Sequence, residues 1–214
     1  MKAVIFDMDG TLYDTERIYG EAWERAGISH ELYLRLIGRS HVNIVSLLNN
    51  CGYKGEEICA LKKKYTDELL EKRGIPVKPG VIDTLKWLQE RKVLTAIATS
   101  SHISVADRYL DETNMRGYFS KVISGNGLEH GKPEPDIFLY AADQLEADPE
   151  ECVVVEDGYN GVRAGKAAGM TTVMIPDQVL PDEEMRSLAD VILPSMEALP
   201  AWLEKQLPVF SPSS

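Results

Sequence analysis

AVIFDMDGT, at residues 3–11, is the part of this 214-residue sequence that says most about its fold. The run at 3–8 is rich in β-branched and aromatic residues and the stretch breaks at Gly10, which is typical of a buried parallel strand. Similar apolar runs recur later, and a helix-length segment follows most of them; they span 93–99, 121–124, 152–156, 171–175 and 191–193. Strands that alternate with helices form βαβ units. The sequence therefore predicts an α/β fold whose parallel sheet is covered on both faces.

One long segment interrupts this alternation of strands and helices. No strand candidate occurs from 14 to 79, and the helical patterns there span 16–26, 30–37, 41–51 and 56–72. Glycine and proline cluster at the end of this segment, which suits a linker. We predict a core domain formed by 1–13 and 80–214, with a helical-bundle cap domain inserted at 14–79. Because the insertion follows the first strand, we expect it above the carboxyl end of that strand, where open α/β sheets bind ligands.

Two carboxylates stand at the end of the first predicted strand. Asp7 and Asp9 are separated by one residue, so both side chains can point into the crevice above the sheet. Carboxylates this close repel and need a shared proton or a cation, and a hard divalent ion such as Mg²⁺ is the simplest solution. The alternative is a plain turn in which Asp9 hydrogen-bonds the backbone near Gly10 and Thr11. This pair by itself leaves both interpretations open.

A second acidic pair ends the apolar run at 152–156. Glu156 and Asp157 leave the carboxyl edge of that predicted strand and are followed by glycine. If the two strands are neighbours, both acidic pairs face one crevice. The alternative is that Asp157 caps the helix predicted near Tyr159, although a capping carboxylate can also bind metal.

Two further features suit the binding of phosphate. Thr99 and Ser100 end the run at 93–99, where a hydroxyl and backbone N–H groups at a helix start can hold a phosphoryl oxygen. Lys132 precedes a proline that restricts its backbone toward extended geometry, and its ammonium could neutralise both phosphate and nucleophile. Each feature also has a plainer explanation, because a Thr-Ser pair can simply cap a helix and an isolated lysine is usually solvated.

Composition narrows the classes of function. The formal charge of −11 at pH 7 disfavours binding to nucleic acid or anionic membranes. Cys51, Cys59 and Cys152 form no C-x-x-C pair and are odd in number, which favours a reducing, cytoplasmic location. No cleavage-site pattern follows the first residues, and no apolar run approaches ~20 residues, so we expect no leader and no membrane span. The expected partner is a small molecule, and the chain is expected to be a monomer.

Four motifs occur in order along the chain and carry a family resemblance. They are DMDGT at 7–11, TS at 99–100, KPEPD at 132–136 and EDG at 156–158. With the helical insertion after the first motif, the sequence resembles the haloacid dehalogenase superfamily. It is most similar to the branch of beta-phosphoglucomutases and small-molecule phosphatases that have a helical cap. The resemblance covers nearly the whole chain, and it implies a Rossmann-like, doubly wound sheet with strand order 3-2-1-4-5-6.

The resemblance also implies a role for each matching residue. Asp7 would be the nucleophile that forms an aspartyl-phosphate, and Asp9 would be the general acid and base. Mg²⁺ would be held by the Asp7 carboxylate, the Asp9 main-chain carbonyl and Asp157, with Glu156 as a neighbouring or direct ligand. The residues expected to bind the phosphate are Gly10, Thr11, Thr99, Ser100 and Lys132, and Thr99 and Lys132 are also expected to be catalytic.

The expected activity is hydrolysis of a small phosphorylated metabolite such as a sugar phosphate. The cap arginine, lysine and asparagine of the mutases align with His41, His102 and Ile103 here, and the mutase cap histidine aligns with Tyr19. Fixed cations that would grip a second phosphate are thereby lost. A phosphomutase and a non-catalytic phospholigand-binding module are the alternatives. Tyr19 and Trp23 lie at i and i+4 and could face the substrate, although packing within the cap is favoured.

Overall fold

The computed structural model describes residues 1–39 and 41–206, and its strands form one parallel sheet. The strands are β1 (Ala3–Phe6), β2 (Leu94–Thr99), β3 (Lys121–Ser124), β4 (Cys152–Glu156), β5 (Thr171–Met174) and β6 (Val191–Ile192). They lie in the order β3-β2-β1-β4-β5-β6, and their pairings are parallel. The predicted fold class and strand order are confirmed.

Helices connect the strands and cover the sheet. Between β1 and β2 lie α1 (Thr15–Arg25), α2 (His30–Leu36), α3 (His41–Asn50), α4 (Gly55–Arg73) and α5 (Val81–Glu90). The later helices are α6 (Ile103–Glu112), α7 (Asp136–Gln144), α8 (Tyr159–Ala167), α9 (Glu183–Leu188) and α10 (Leu199–Leu203). The helices predicted in the insertion are present close to their predicted bounds. Within the described part of the chain, no helix is long and apolar enough to cross a membrane.

Alternate side chains of β1 enter two separate hydrophobic cores. Val4 and Phe6 pack on one face with side chains of α5 and α6, and Ala3 and Ile5 pack on the other with side chains of α7. All four are fully buried. This two-sided burial explains why β1 is a continuous apolar run and why it lies at the centre of the sheet.

The helices of the insertion also form a cluster of their own. Its buried members, all from the segment between β1 and α4, are Trp23, Ile28, Leu32, Tyr33, Leu36 and Leu48. Other residues of α1 and α4, such as Ile18 and Leu69, pack against the main core instead. The local cluster suits a helical cap, whose bounds at 14–79 stay a prediction.

The turn after β1 sets where the first acidic side chains point. The sequence pattern predicted a strand through residue 8, but β1 ends at Phe6. The chain turns because the Leu12 N–H donates to the Met8 carbonyl at 2.9 Å, and the Gly10 N–H donates to the Tyr13 carbonyl at 2.9 Å. Gly10 has a φ of +82°, which favours glycine at this position.

Two extended segments join the insertion to the sheet, and they are paired with each other. Tyr13 and Val77 form an antiparallel bridge, and the Asp14 N–H donates to the Pro76 carbonyl at 2.8 Å. The chain therefore leaves and re-enters the sheet region at one place, directly above β1.

Gly161 provides a test of how closely α8 packs on β4. A Cβ added at Gly161 would lie 1.6 Å from Oε1 of the buried Glu156, whereas one added at Gly117 would meet nothing within 4 Å. We expect Gly161→Ala to lower the free energy of unfolding by roughly 1–3 kcal/mol, because the overpacked carboxylate must move. Urea denaturation measures this change. Gly117→Ala is the control, and equal effects of the two variants would contradict the packing described here.

Candidate active site

The acidic side chains of β1 and β4 meet because these two strands are neighbours. Phe6 pairs with Val155, and the Asp7 N–H donates to the Val155 carbonyl at 2.9 Å. One carboxylate oxygen from each of Asp7, Glu156 and Asp157 lies within 4.8 Å of the others. The structure therefore brings Asp7 together with Glu156 and Asp157 at the carboxyl edge of the sheet.

Lys132 lies between two of these carboxylates. Its Nζ is 2.5 Å from Oδ1 of Asp7 and 2.7 Å from Oε1 of Glu156, and it also donates to the Ala98 carbonyl at 3.1 Å. Only 7 % of its side chain is exposed. Burial by itself lowers the pKa of the Lys132 ammonium, but the charges of Asp7 and Glu156 outweigh it and raise that pKa. Lys132 is therefore a fixed cation of the site.

One ammonium does not balance the negative charge of this cluster. Burial raises the pKa of Asp7 to about 8 even though Lys132 acts in the opposite direction. Burial also raises the pKa of Asp157, and the neighbouring charges of Glu156 and Asp7 raise it further. Three carboxylates and one ammonium carry a formal charge of −2 when ionised. Oxygen ligands with this excess charge fit a divalent cation.

Glu156 is held by the protein through both carboxylate oxygens. Oε1 accepts from Lys132, and Oε2 accepts from the backbone N–H groups of Asp157 and Gly158 at 3.0 and 2.9 Å. The side chain therefore fixes the loop that carries Asp157. Glu156 was expected to be either a direct metal ligand or a neighbour of the metal site. These contacts favour the second role, in which Glu156 positions Asp157.

Gly10 and Thr11, which were predicted to bind phosphate, contact Asp157 in the structure. The Thr11 hydroxyl donates to Oδ1 of Asp157 at 3.2 Å, and a Cβ added at Gly10 would lie 2.3 Å from Oδ2. Only glycine leaves room for the carboxylate here. These residues orient Asp157, and their contact with phosphate stays a prediction.

Asp9 accepts hydrogen bonds from three hydroxyl groups. Thr15 Oγ1 and Tyr19 OH both donate to Oδ1 at 2.7 Å, and Ser101 Oγ donates to Oδ2 at 2.7 Å. Burial and the charge of Asp9 raise the pKa of Tyr19 well above its ordinary value, so its hydroxyl keeps its proton. The structure thus rules out the plain-turn interpretation in which Asp9 caps only the local backbone.

Sequence patterns did not select Thr15, Tyr19 or Ser101 as partners of Asp9. Ser101 directly follows the Thr-Ser pair at 99–100 and is not part of that motif. Tyr19 packs against the helical cluster, as expected, and its hydroxyl also reaches Asp9, whereas Trp23 is a buried member of that cluster. A run of hydroxyl residues after β2 is the one signal that could have drawn attention to Ser101.

Thr99 is the last residue of β2, the strand that pairs with β1. Thr99 is buried, and its Oγ1 accepts from the Ser101 N–H at 3.0 Å, while Ser100 is exposed. His102 is the N-cap of α6, because its Nδ1 accepts from the Ser104 N–H at 3.2 Å. The binding of phosphate by Thr99 and Ser100 stays a prediction.

These features define a class of protein, a doubly wound α/β protein with a carboxylate cluster and a buried lysine at the carboxyl edge of its sheet. The sequence model of the haloacid dehalogenase-like hydrolases matches residues 1–169. The chain belongs to this family, and it is a hydrolase. The resemblance drawn from the four motifs is confirmed.

Relatives and solved structures agree with this assignment. The chain is 33 % identical over 189 residues to a phosphorylated carbohydrates phosphatase of Thermotoga maritima, covering 81 % of this chain and 84 % of that protein. It is 30 % identical over 177 residues to the fructose-1-phosphate phosphatase YqaB of Escherichia coli K12, covering 79 % and 94 %. The crystal structure of CbbY from Rhodobacter sphaeroides in complex with phosphate superimposes with a TM-score of 0.80 at 25 % identity, covering 93 % and 96 %.

The excess negative charge of the cluster predicts that divalent cations stabilise the fold. We expect added divalent cation to raise the Tm by several degrees, since saturation at 100 times Kd contributes about 2.7 kcal/mol. Asp157→Asn should abolish most of this rise, because it removes a charged ligand. Differential scanning fluorimetry measures both. Asp143→Asn, on the exposed side of α7, is the control; a full cation response in Asp157→Asn would contradict the site.

Proposed function

We propose that this chain is a Mg²⁺-dependent phosphatase that hydrolyses a small phosphomonoester, with sugar phosphates as the favoured class of substrate. The observation that carries the proposal is the position of Lys132 between Asp7 and Glu156, beside Asp157. This arrangement supplies a carboxylate nucleophile, a fixed cation and oxygen ligands for a metal in one crevice. Phosphoryl transfer depends mainly on such positioning and charge stabilisation.

Asp7 is the proposed nucleophile. Lys132 holds its Oδ1, so we assign Oδ2 to the attack on phosphorus. The new bond from Oδ2 to phosphorus forms as the bond from phosphorus to the leaving alkoxide breaks, which gives an aspartyl-phosphate. Water then attacks phosphorus, releases inorganic phosphate and restores the carboxylate. Asp7 is thus the nucleophile of the first displacement and the leaving group of the second.

Asp9 is the proposed general acid and base. In its protonated form it would give a proton to the leaving alkoxide, and as a carboxylate it would later take a proton from the attacking water. The hydroxyls of Thr15, Tyr19 and Ser101 hold both of its oxygens, which fixes the orientation of the carboxyl group. A general acid of this kind contributes roughly 100- to 10,000-fold to the rate.

The charge on the transferred phosphoryl group needs positive partners. We propose that Lys132, the Thr99 hydroxyl and backbone N–H groups at Ser100 bind its oxygens. Asp7, Asp157 and the Asp9 main-chain carbonyl would hold Mg²⁺, with Glu156 beside them. When bound there, Mg²⁺ supplies positive charge that offsets the carboxylates and the phosphate.

The choice of hydrolysis over mutase activity rests on residues of the insertion and of α6. His41 pairs with Glu56 at 3.2 Å on the surface, and His102 is occupied in capping α6. Tyr19, in place of the mutase histidine, donates to Asp9. The names of the relatives, a phosphorylated carbohydrates phosphatase and a fructose-1-phosphate phosphatase, support a sugar phosphate as substrate.

We also propose that the segment 14–79 acts as a cap that excludes water from the crevice. Thr15 and Tyr19 of α1 reach Asp9, and Asn160 Nδ2 at the start of α8 donates to the Gly38 carbonyl at 2.9 Å. The insertion therefore contacts the core on two sides of the site. Exclusion of water protects an aspartyl-phosphate until the leaving group has departed. The monomeric state and cytoplasmic location stay predictions.

Phosphate release from a panel of phosphorylated metabolites tests the proposal. We expect turnover of one or more sugar phosphates in Mg²⁺, with loss of activity in EDTA and recovery when Mg²⁺ is restored. Asp7→Asn should abolish turnover while its far-UV circular dichroism stays unchanged, because only the nucleophile is lost. Interconversion of two phosphate esters without phosphate release would favour the mutase. Clear hydrolysis by folded Asp7→Asn would overturn the mechanism.

Tyr19→Phe tests the proposed support of Asp9 by the cap. The variant removes a hydroxyl that donates to a carboxylate, a hydrogen bond worth roughly 1.5–3 kcal/mol. We expect kcat to fall about tenfold or more while the chain stays folded. Tyr140→Phe is the control, because Tyr140 is 45 % exposed on α7. A kcat equal to that of the parent chain would show that Asp9 does not depend on Tyr19.

A further inference from the structure

A largely buried ion pair lies beside the turn after β1 and has no part in the mechanism proposed above. Lys78 belongs to the segment between α4 and α5, and its Nζ is 2.9 Å from Oδ1 of Asp177, in the loop after β5. The two side chains are 17 % and 7 % exposed. Removing an ion pair from water costs free energy, so its retention here calls for a reason beyond stability.

The same ammonium holds the backbone of the first catalytic motif. Lys78 Nζ donates to the Gly10 carbonyl at 2.7 Å. Gly10 directly follows Asp9, and its Cα lies so close to Asp157 that an added Cβ would be 2.3 Å from Oδ2. The Gly10 peptide is thus fixed by Lys78 at its carbonyl and confined by Asp157 at its Cα.

The position of Lys78 is itself set by the backbone. Its N–H donates to the Leu12 carbonyl at 2.9 Å, next to the bridge between Tyr13 and Val77. The ammonium therefore starts from an anchored segment, and Asp177 fixes its other end. A side chain tethered in this way can hold a neighbouring peptide in one place.

We propose that Lys78 and Asp177 form a positioning pair that fixes the Gly10 peptide and, through it, the arrangement of Asp9 and Asp157. Neither side chain is assigned a contact with the substrate. Without the ammonium, the Gly10 carbonyl loses its charged donor, and the turn that carries Asp9 can shift against Asp157. The kinetic consequence of this inference rests on the function proposed above.

Kinetic comparison of Lys78→Met, Asp177→Ala and the double variant tests the pair. We expect kcat to fall about 10- to 100-fold for both a sugar phosphate and p-nitrophenyl phosphate, since small misplacements of catalytic groups cost this much. KM should change by less than about threefold, because substrate contacts are kept. The double variant should lose no more than the worse single variant, because both changes release the same peptide.

Lys166→Met is the matched control. Lys166 also forms an ion pair between elements, with Asp190 at 2.8 Å, but no contact joins it to Gly10 in the described part of the chain. Its kcat should stay within about twofold of the parent value. A folded Lys78→Met with parental kcat would overturn the proposal, and if that variant does not fold, a parental kcat in Asp177→Ala would do so.

A second readout does not depend on turnover. The rise in Tm on adding Mg²⁺ should be smaller in Lys78→Met and Asp177→Ala than in the parent, because Asp157 is no longer confined, and unchanged in Lys166→Met. An equal rise in all variants would count against the pair. If the parent chain hydrolyses no phosphate ester, the proposed function fails, and this thermal measurement still decides for or against the positioning pair.

Discussion

The contact of Lys132 with Asp7 and Glu156 is the interaction on which the arrangement of this site depends. Two buried carboxylates this close would not both ionise without a cation between them. The contact exists because β1 and β4 are adjacent in the sheet, which brings Asp7 and Glu156 together. Lys132 reaches them from the segment between β3 and α7, and its ammonium also donates to the Ala98 carbonyl near the end of β2. The order of the strands therefore determines which charged groups meet in the site.

A second consequence follows from where the chain leaves the sheet. The insertion begins a few residues after Asp9, so only a short segment joins α1 to the turn that carries Asp9. Asp9 accepts from Thr15 and Tyr19 on α1 and from Ser101 on the opposite side of the crevice. Its orientation therefore depends on the docking of α1 against the core. The position of α1 and the orientation of the proposed acid are therefore linked.

The sequence predicted the parts of the fold that repeat a strong local pattern. The strands β1, β2, β4 and β5 are mostly buried runs. The acidic candidates Asp7, Asp9, Glu156 and Asp157 were found because they lie at the carboxyl ends of two of these runs. The order of the strands came from the family resemblance, because local pattern does not determine which strands pair.

The partners of Asp9 and the pair of Lys78 with Asp177 could not be predicted in this way. Helical periodicity placed Tyr19 and Trp23 on one face of α1, and both pack in the helical cluster, but it did not show that the hydroxyl of Tyr19 also reaches Asp9. They are one turn apart, about 6 Å along the axis, and only the tertiary structure decides what lies opposite each turn. Contacts between residues far apart in sequence carry no local signal.

The excess negative charge of the site has one further consequence, since a phosphate dianion approaching three carboxylates and one ammonium meets net repulsion. A divalent cation in the crevice reverses that sign, so we expect phosphate and cation to favour each other's binding. Because such coupling is reciprocal, each ligand must raise the affinity of the other by the same factor.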